Sequence, residues 1–230
     1  MNNILDNKIY IKEYIPKECH TIIVFSHGMG TSKEEIDPLS QELNDNGIGI
    51  ICYDQPCHGE DKTPGNKDFF IQCMAYLDKV IDYTKNKYSK DIVLAGHSFG
   101  CFVILSYLLK HKYQAIFISP AVDMYYALNK YLDMSFEKSD VVKVFDLDFY
   151  KKAYEDIKEK QHMIDKYKYK NIRVLQGDSD IIIDIEKVKE FCNRNDIELE
   201  IINGGKHRLY GNIKRASSFI IKVINDEKKI

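Results

Sequence analysis

The sequence lacks the features that would assign it to a membrane or an exported class of protein. Its longest apolar stretch, near Cys101, is far shorter than the roughly 20 residues that a membrane-spanning helix needs. The first residues contain neither the basic region nor the apolar region of a secretory signal. Internal repeats and low-complexity segments are also absent. We therefore expect a soluble, cytoplasmic protein without stable membrane association.

An excess of charge of either sign is also absent. The chain has 33 Lys and Arg residues against 35 Asp and Glu residues, and its formal net charge is −2. A nucleic-acid-binding surface would need a basic excess, and an acidic tail would need a run of like charges. We therefore expect a small molecule as partner and no nucleic acid, and the sequence leaves a homodimer open.

Cysteine spacing indicates neither a metal site nor a disulfide framework. The six cysteines show no CxxC pair and no zinc-ligand spacing, and two of them fall in predicted strand or helix cores. We expect all six to be reduced thiols. They are Cys19, Cys52, Cys57, Cys73, Cys101 and Cys192.

Short β-branched runs alternate with longer helical patterns along most of the 230 residues. Continuous apolar strands separated by helices predict an α/β fold with a mostly parallel sheet covered by helices on both faces. A chain of this length fits a single domain, 1–230. The predicted strands are 8–15, 20–25, 49–53, 92–95, 115–118, 172–175 and 197–202, and the main predicted helices are 33–46, 68–87, 185–195 and 213–225.

The apolar strand at 92–95 runs into the turn GHSFG at 96–100, and an apolar helix pattern follows. A serine in the middle of such a turn has its Oγ held above the sheet edge, and the flanking glycines remove Cβ atoms that would collide there. The same five-residue pattern also occurs in ordinary glycine-rich turns. The strand before it and the helix after it favour a nucleophile elbow, so Ser98 is the first candidate for chemistry.

Polar residues follow most of the predicted strands. Ligands of a parallel sheet bind beyond the carboxyl ends of its strands, so we expect these residues to gather at one edge. The order Ser, Asp, His along the chain is the order of a triad built on this topology. His207 follows the last predicted strand, where the base is expected. The residues concerned are 27–28, Asp54, Ser98, 178–180 and His207.

Five motifs occupy these positions: SHGMG at 26–30, DQPCHG at 54–59, GHSFG at 96–100, QGDSD at 176–180 and GGKH at 204–207. Together they resemble the α/β-hydrolase fold family, in the branch of monoacylglycerol lipases, bacterial esterases and serine aminopeptidase-like proteins. The resemblance covers nearly the whole chain. It departs at Cys57, where the family usually has Gly, and in the short segment before the first buried strand, where we expect the usual opening hairpin to be trimmed.

The resemblance implies a Ser-His-Asp hydrolase with an oxyanion hole made of backbone amides. Family members place the acid three residues after the glycine of the QGDSD motif, which is Asp180 here, with Asp178 as the alternative. The amide after the nucleophile, that of Phe99, is one expected oxyanion donor. The resemblance supplies Met29 as the other donor, and Gly28 lets this loop approach the substrate.

The remaining acids and histidines give no support for a metal centre. A zinc site made of His207 and the neighbouring acids would be expected to show an HExxH motif or a paired histidine spacing, and neither is present. We expect no metal and no cofactor. Asp184, like Asp178, also fits a turn or helix-capping role.

These observations predict a serine hydrolase of carboxylic esters that acts through an acyl-enzyme. Peptide or amide cleavage, including aminopeptidase action, uses the same machinery and stays an alternative. It would need an anionic pocket for the substrate amine. A binding protein without activity is a further alternative, because a fold does not guarantee its chemistry.

The alternation of predicted strands and helices is interrupted between Pro120 and Asn171, and this segment is longer than an ordinary connection. We expect residues 121–170 to form a small helical cap over the site. This segment holds ten of the 27 aromatic residues, most of which we expect to attach the cap, and its ten acidic and ten lysine residues cancel. The composition favours short to medium acyl or aryl esters over long-chain lipids, with Tyr125 and Tyr126 as substrate-binding residues.

Overall fold

A computed structural model of the chain describes residues 2–6, 8–63, 68–127, 130, 147–208 and 211–227. These residues form one eight-stranded sheet with helices packed against it. The strands are β1 (Asn2–Leu5), β2 (Ile9–Tyr14), β3 (Thr21–Ser26), β4 (Ile48–Tyr53), β5 (Asp91–His97), β6 (Gln114–Ile118), β7 (Ile172–Gly177) and β8 (Glu198–Ile202). The helices are α1 (Asp37–Asp45), α2 (Phe69–Tyr88), α3 (Phe99–Leu108), α4 (Leu147–Lys166), α5 (Ile185–Asn195) and α6 (Ile213–Glu227), and a 3₁₀ helix, Lys33–Ile36, precedes α1.

The order of the strands in the sheet is β1-β2-β4-β3-β5-β6-β7-β8. Strand β2 is antiparallel to β1 and to β4, whereas the strands from β3 to β8 run parallel. Every residue of β3 and β4 is buried, as expected for strands with neighbours on both edges and helices on both faces. The α/β class predicted from the apolar runs is confirmed.

Strands β1 and β2 form an antiparallel hairpin at one edge of the sheet, with Leu5 opposite Ile9. An opening hairpin is therefore present, with strands of four and six residues, and its trimming relative to the family stays a prediction. Residues of β2 alternate between buried and half-buried, the pattern of a strand with one covered face. The short strand β1, Asn2–Leu5, was missed because it begins with two asparagines, which are uncommon in strands.

Alternate side chains of the central strands enter two separate cores. On β5, Leu94 packs into the core under α2, α3 and α5, whereas Val93 and Ala95 pack into the core under α1 and α6. This alternation follows from the two-residue period of a strand. Every residue of α3 is buried, so the helix that follows Ser98 lies in the interior of the molecule.

The helix predicted over 33–46 consists of two parts, a 3₁₀ helix and α1. Pro38 lies in the first turn of α1. Because proline has no N–H to donate to the carbonyl four residues earlier, one continuous ladder of α-helical hydrogen bonds cannot pass through this position. The side chains of Lys33 and Glu35 in the 3₁₀ helix are buried, although both residue types are usually exposed.

The predicted cap at 121–170 lies only partly among the described residues, because 128–129 and 131–146 are outside them. Tyr131, Phe136 and Phe145 fall in that undescribed part. Within the described part, Ile157 and Ile164 of α4 are buried in the core with α2 and α3. Tyr169 is also buried, and its hydroxyl donates to the carbonyl of Leu105 on α3 at 3.1 Å. These contacts attach the segment to the sheet, while its extent as a cap stays a prediction.

Helix α3 begins so close to β3 that a side chain at Gly100 would not fit. A Cβ atom on Gly100 would lie 2.0 Å from the carbonyl oxygen of Ser26, and one on Gly96 would lie 2.9 Å from the amide nitrogen of Cys101. Both neighbours are backbone atoms, which cannot move aside as a flexible side chain can. Gly100 therefore allows α3 to pass close to β3, and Gly96 allows β5 to approach the first turn of α3.

We expect Gly100→Ala to lower the free energy of unfolding by at least about 3 kcal/mol, the upper part of the range for overpacked sites, because the added methyl group meets backbone. Urea unfolding followed by circular dichroism measures the change. Gly211→Ala is the matched control, since a Cβ atom there meets no atom of the described residues within 4 Å. It should change stability by no more than about 0.5 kcal/mol. Equal stability of the two variants would contradict the steric argument.

Candidate active site

Ser98 lies between β5 and α3 with φ 52° and ψ −117°, a conformation that residues other than glycine rarely adopt. Its amide donates a hydrogen bond to the carbonyl of Ile118 at 3.1 Å. Its carbonyl accepts from the amides of Cys101 at 3.0 Å and Ala121 at 3.2 Å. These bonds to β6, to α3 and to the loop after β6 hold the strained backbone of Ser98 in place.

Three residues that are distant in sequence form one chain of hydrogen bonds. The Oγ atom of Ser98 lies 3.0 Å from Nε2 of His207, and Nδ1 of His207 lies 2.8 Å from Oδ2 of Asp180. An ionised carboxylate can only accept, so Nδ1 of His207 donates to it. The Nε2 atom of the neutral imidazole then keeps its lone pair for the hydroxyl hydrogen of Ser98.

The carboxylate of Asp180 is fully buried and has partners on both oxygens. Oδ1 accepts from the amides of Ile182 and Ile183, each at 2.9 Å, and Oδ2 also accepts from Nε2 of Gln176 at 3.1 Å. Burial raises the pKa of Asp180, but its contact with His207 and the hydrogen bonds from the two amides outweigh burial and hold the pKa below its ordinary value. Asp180 is therefore an acceptor for His207 at neutral pH.

The two neighbouring acids are engaged elsewhere. Oδ1 of Asp178 accepts from the amide of Gly204 at 2.7 Å, which joins the loops after β7 and β8. Asp184 caps α5, because its Oδ1 accepts from the amide of Glu186 at 2.9 Å. Of the three carboxylates in this segment, Asp180 is the one in contact with His207.

The amides of Met29 and Phe99 donate to no acceptor among the residues that the structure describes. Phe99 is the first residue of α3, and the first amides of a helix have no partner within it. The Phe99 side chain is buried and stacks on Phe69 with 5.8 Å between ring centroids, which anchors the start of the helix. Both amides are therefore available to bind an anionic oxygen.

The backbone of Gly28 is used inside the protein. Its amide donates to Oε2 of Glu35 at 2.8 Å, and its carbonyl accepts from Nδ1 of His27 at 2.7 Å. A Cβ atom on Gly28 would lie 2.9 Å from Nδ1 of His97. The absence of a side chain here thus allows the loop to approach His97, and contact with a substrate at Gly28 stays a prediction.

The loops that follow β3 and β4 are tied together by buried polar groups. Nε2 of His27 accepts from the amide of Gln55 at 3.0 Å, and the Gln55 side chain donates to the carbonyl of His27 at 2.6 Å. Asp54 accepts from the amides of Lys33 and Glu60, and pairs with the buried ammonium of Lys33 at 2.8 Å. Asp54 therefore holds the loop after β4 against the 3₁₀ helix through hydrogen bonds and an ion pair.

Cys57 stands where the family usually has glycine, and its backbone has a conformation that glycine adopts more easily than other residues. Its φ is 66°, in the left-handed region that favours glycine.

Within the described ranges, all six cysteines are free thiols, and no group of three or more His, Cys, Asp or Glu side chains could hold a metal ion. The helices described there include none with the length and apolarity that crossing a membrane requires.

Glu35 is a buried charge near the site that sequence reasoning missed. It contacts Gly28 and also His97, whose Nδ1 lies 3.0 Å from Oε1 of Glu35. The run KEE at 33–35 reads as an exposed helical surface, and Pro38 is the one local signal that the helix is interrupted there. A sequence pattern carries no information about a partner as distant as His97.

The two tyrosines expected to bind substrate have different surroundings. The hydroxyl of Tyr126 donates to Oδ2 of Asp184 at 3.3 Å, so this side chain packs against the start of α5. Tyr125 is 36% exposed. Their contact with a substrate stays a prediction.

Comparison with known proteins agrees with this architecture. A protein-family model described as "Serine aminopeptidase, S33" matches residues 17–172, more than half of the chain. The structure of Est1E from Butyrivibrio proteoclasticus with bound ferulic acid covers 100% of both chains, with a TM-score of 0.75 and 19% sequence identity. At that identity the similarity shows the fold alone.

Two curated relatives match part of the chain. Protein phosphatase methylesterase 1 of Schizosaccharomyces pombe is 28% identical over 92 residues, which is 37% of this chain and 27% of that protein. Proline iminopeptidase of Saccharolobus solfataricus is 33% identical over 107 residues, which is 45% of this chain and 34% of that protein. The matches thus span about a third or less of these relatives. With the family match over 17–172, the chain belongs to the serine aminopeptidase S33 family of the α/β-hydrolase superfamily.

Proposed function

We propose that the protein hydrolyses carboxylic esters through an acyl-enzyme, with Ser98 as nucleophile, His207 as general base and acid, and Asp180 as the acid that orients His207. The observation that carries the proposal is the hydrogen-bond chain from Ser98 Oγ to His207 Nε2 at 3.0 Å and from His207 Nδ1 to Asp180 at 2.8 Å. The similarity to methylesterase and esterase proteins supports the reaction class.

Each step uses a contact in this arrangement. Nε2 of His207 takes the hydroxyl proton as Ser98 Oγ attacks the ester carbonyl. The amides of Met29 and Phe99 stabilise the oxyanion of the tetrahedral intermediate. His207 then protonates the leaving alcohol, and water attacks the acyl-enzyme by the same route. Asp180 stabilises the imidazolium that forms in each half-reaction.

Amide cleavage by the same residues is a second candidate function. It is favoured by the family match and by the similarity to proline iminopeptidase. The two functions differ in the leaving group. An amine must be protonated before it leaves, whereas the alkoxide of an ester leaves more readily. Turnover of aminoacyl amides in parallel with esters distinguishes them.

The substrate that we propose is a small ester with a short to medium acyl or aryl group. The balanced charges of 121–170 provide no net field to select a charged substrate. Tyr125 and Tyr126 lie in this segment and would bind the acyl part through their aromatic rings. A homodimer is a possible assembly, and the molecular mass in solution tests it.

Ser98→Ala should abolish labelling by a fluorophosphonate probe and turnover of p-nitrophenyl acetate, because the nucleophilic Oγ is removed while the fold is kept. Labelling is read on a gel by fluorescence. Ser40→Ala is the control, since Ser40 lies on α1 and its hydroxyl donates to the carbonyl of Asp37. A wild-type protein that takes no label would refute the hydrolase proposal and favour a binding protein.

Asp180→Asn should lower kcat by a factor on the order of 10⁴ with little loss of stability. An amide nitrogen facing Nδ1 would favour the tautomer with the proton on Nε2, which cannot accept the proton of Ser98. Asp178→Asn is the matched control and should change kcat by only a few fold. Steady-state kinetics and thermal unfolding of both variants measure this. The reverse ranking of the two variants would assign the acid to Asp178.

A chain-length series of p-nitrophenyl esters, together with hydroxycinnamoyl esters, should give the highest kcat/KM at short to medium acyl or at aryl groups. The reason is that the composition of 121–170, with ten acidic and ten lysine residues, does not favour a helix that binds a lipid interface. Initial rates below and above the solubility limit of each ester test this. An optimum at long chains with activation at the lipid interface would show that the segment is a lipase lid.

A further inference from the structure

Glu35 lies between two loops that contribute to the proposed site. Its Oε2 accepts from the amide of Gly28 at 2.8 Å, and Gly28 directly precedes the oxyanion donor Met29. Its Oε1 lies 3.0 Å from Nδ1 of His97. The other ring nitrogen of His97, Nε2, lies 2.8 Å from the carbonyl oxygen of His207. One buried carboxylate is thus connected to the oxyanion loop and, through one ring, to the backbone of the proposed base.

The contacts determine which nitrogens of His97 carry hydrogen. A carbonyl oxygen can only accept, so Nε2 of His97 donates to His207. An unprotonated Nδ1 would place its lone pair 3.0 Å from a carboxylate oxygen of Glu35, which is repulsive. Both nitrogens therefore carry hydrogen, and His97 is an imidazolium paired with the Glu35 carboxylate. The carboxylate lies off the axis of the Nδ1–H bond, so the contact is an ion pair rather than an aligned hydrogen bond.

Both side chains are 4% exposed, so water screens the pair little. Burial lowers the pKa of His97, but the charge and contact of Glu35 and the carbonyl of His207 outweigh burial and raise the pKa above its ordinary value. Burial raises the pKa of Glu35, but the charge and contact of His97 and the amide of Gly28 outweigh it and lower the pKa to about 2. The ionised form of the pair therefore holds near neutral pH.

Other titratable groups also face the pair. The ring of His207 lies 5.0 Å from that of His97 between centroids, and the Asp180 carboxylate acts on His97 from the loop after β7. His27, in the loop after β3, faces Glu35. Burial lowers the pKa of His27, so its ring is neutral and adds no charge to the pair at neutral pH.

We propose that Glu35 and His97 are positioning residues that hold the oxyanion loop and the backbone of His207 in register with Ser98. The proposal rests on the esterase function proposed above and adds to it a buried ion pair that contacts no reacting atom. Ser98 is attached to the same pair through the chain, because it directly follows His97. Displacement of either loop would separate the oxyanion amides or Nε2 of His207 from the nucleophile, while the binding of the substrate is little affected.

The pair also gives activity an alkaline limit. Because the pKa of His97 is raised in the folded protein, the ion pair is fully formed at and below the pH at which an ordinary imidazole titrates. The ion pair is lost as the pH rises through the pKa of His97 in the folded protein. Above it, the lone pair of Nδ1 faces the Glu35 carboxylate and the link to His207 weakens. Glu35 stays ionised throughout the active range, because its pKa of about 2 lies far below it.

Three variants test the proposal. Glu35→Ala should lower kcat and the rate of fluorophosphonate labelling by about 10- to 100-fold with little change in KM, as expected for misplaced catalytic groups. Glu35→Gln can still accept from Gly28 and removes the negative charge that would repel the lone pair of a neutral Nδ1, so it should keep kcat within a few fold at neutral pH. Its activity should no longer fall at alkaline pH. Glu34→Ala is the control, because the Glu34 carboxylate contacts Ser32 and Lys33.

The readouts separate failure of this proposal from failure of the esterase proposal. If the wild type takes no label, the proposed function itself is wrong. If the wild type is labelled and folded Glu35→Ala is labelled at the same rate, the positioning role is overturned. If Glu35→Ala does not fold, the pH profile of Glu35→Gln is decisive. If kcat/KM of this variant falls at the same alkaline pH as in the wild type, the role of the pair is overturned. If this alkaline fall is absent from the variant, the role of the pair is supported.

Discussion

The proposed site depends on one steric constraint, the close approach of α3 to β3 at Gly100. The carbonyl of Ser26 occupies the space that a side chain there would need. This approach requires a sharp turn between β5 and α3, and Ser98 takes a φ of 52° at that turn. The first amide of α3, at Phe99, then has no acceptor within the described part of the chain, since a helix cannot satisfy its own first donors.

Buried carboxylates hold the loops around this turn. Each of three acids accepts hydrogen bonds from loop amides and also pairs with a basic side chain, which offsets the cost of removing its charge from water. In each case the same carboxylate holds a loop, through its amides, and a basic side chain, through the ion pair. The three pairs are Asp54 with Lys33, Glu35 with His97, and Asp180 with His207.

The strongly apolar strands β3 and β4 were predicted with small errors at their ends, because both are buried along their whole length and their composition shows it. The weakest predictions concerned segments whose structure depends on partners. Strand β1 exists because β2 supplies its hydrogen bonds, and its own four residues carry little strand signal. The polar segment 33–46 was read as one helix, since the burial of Lys33 and Glu35 arises from contacts with distant loops.

By itself, the sequence determined the α/β class, the strand-turn-helix around Ser98 and the order of Ser, Asp and His, because periodicity and motifs are local properties of the chain. It left Asp178 beside Asp180 as an alternative acid, since both are aspartates in the same loop. Only the tertiary structure decided which carboxylate reaches His207, because that contact depends on the pairing of β7 with β8 and on the loops that follow them. The partner of Glu35 was decided in the same way, because the position of the 3₁₀ helix brings Glu35 to His97 at the end of β5.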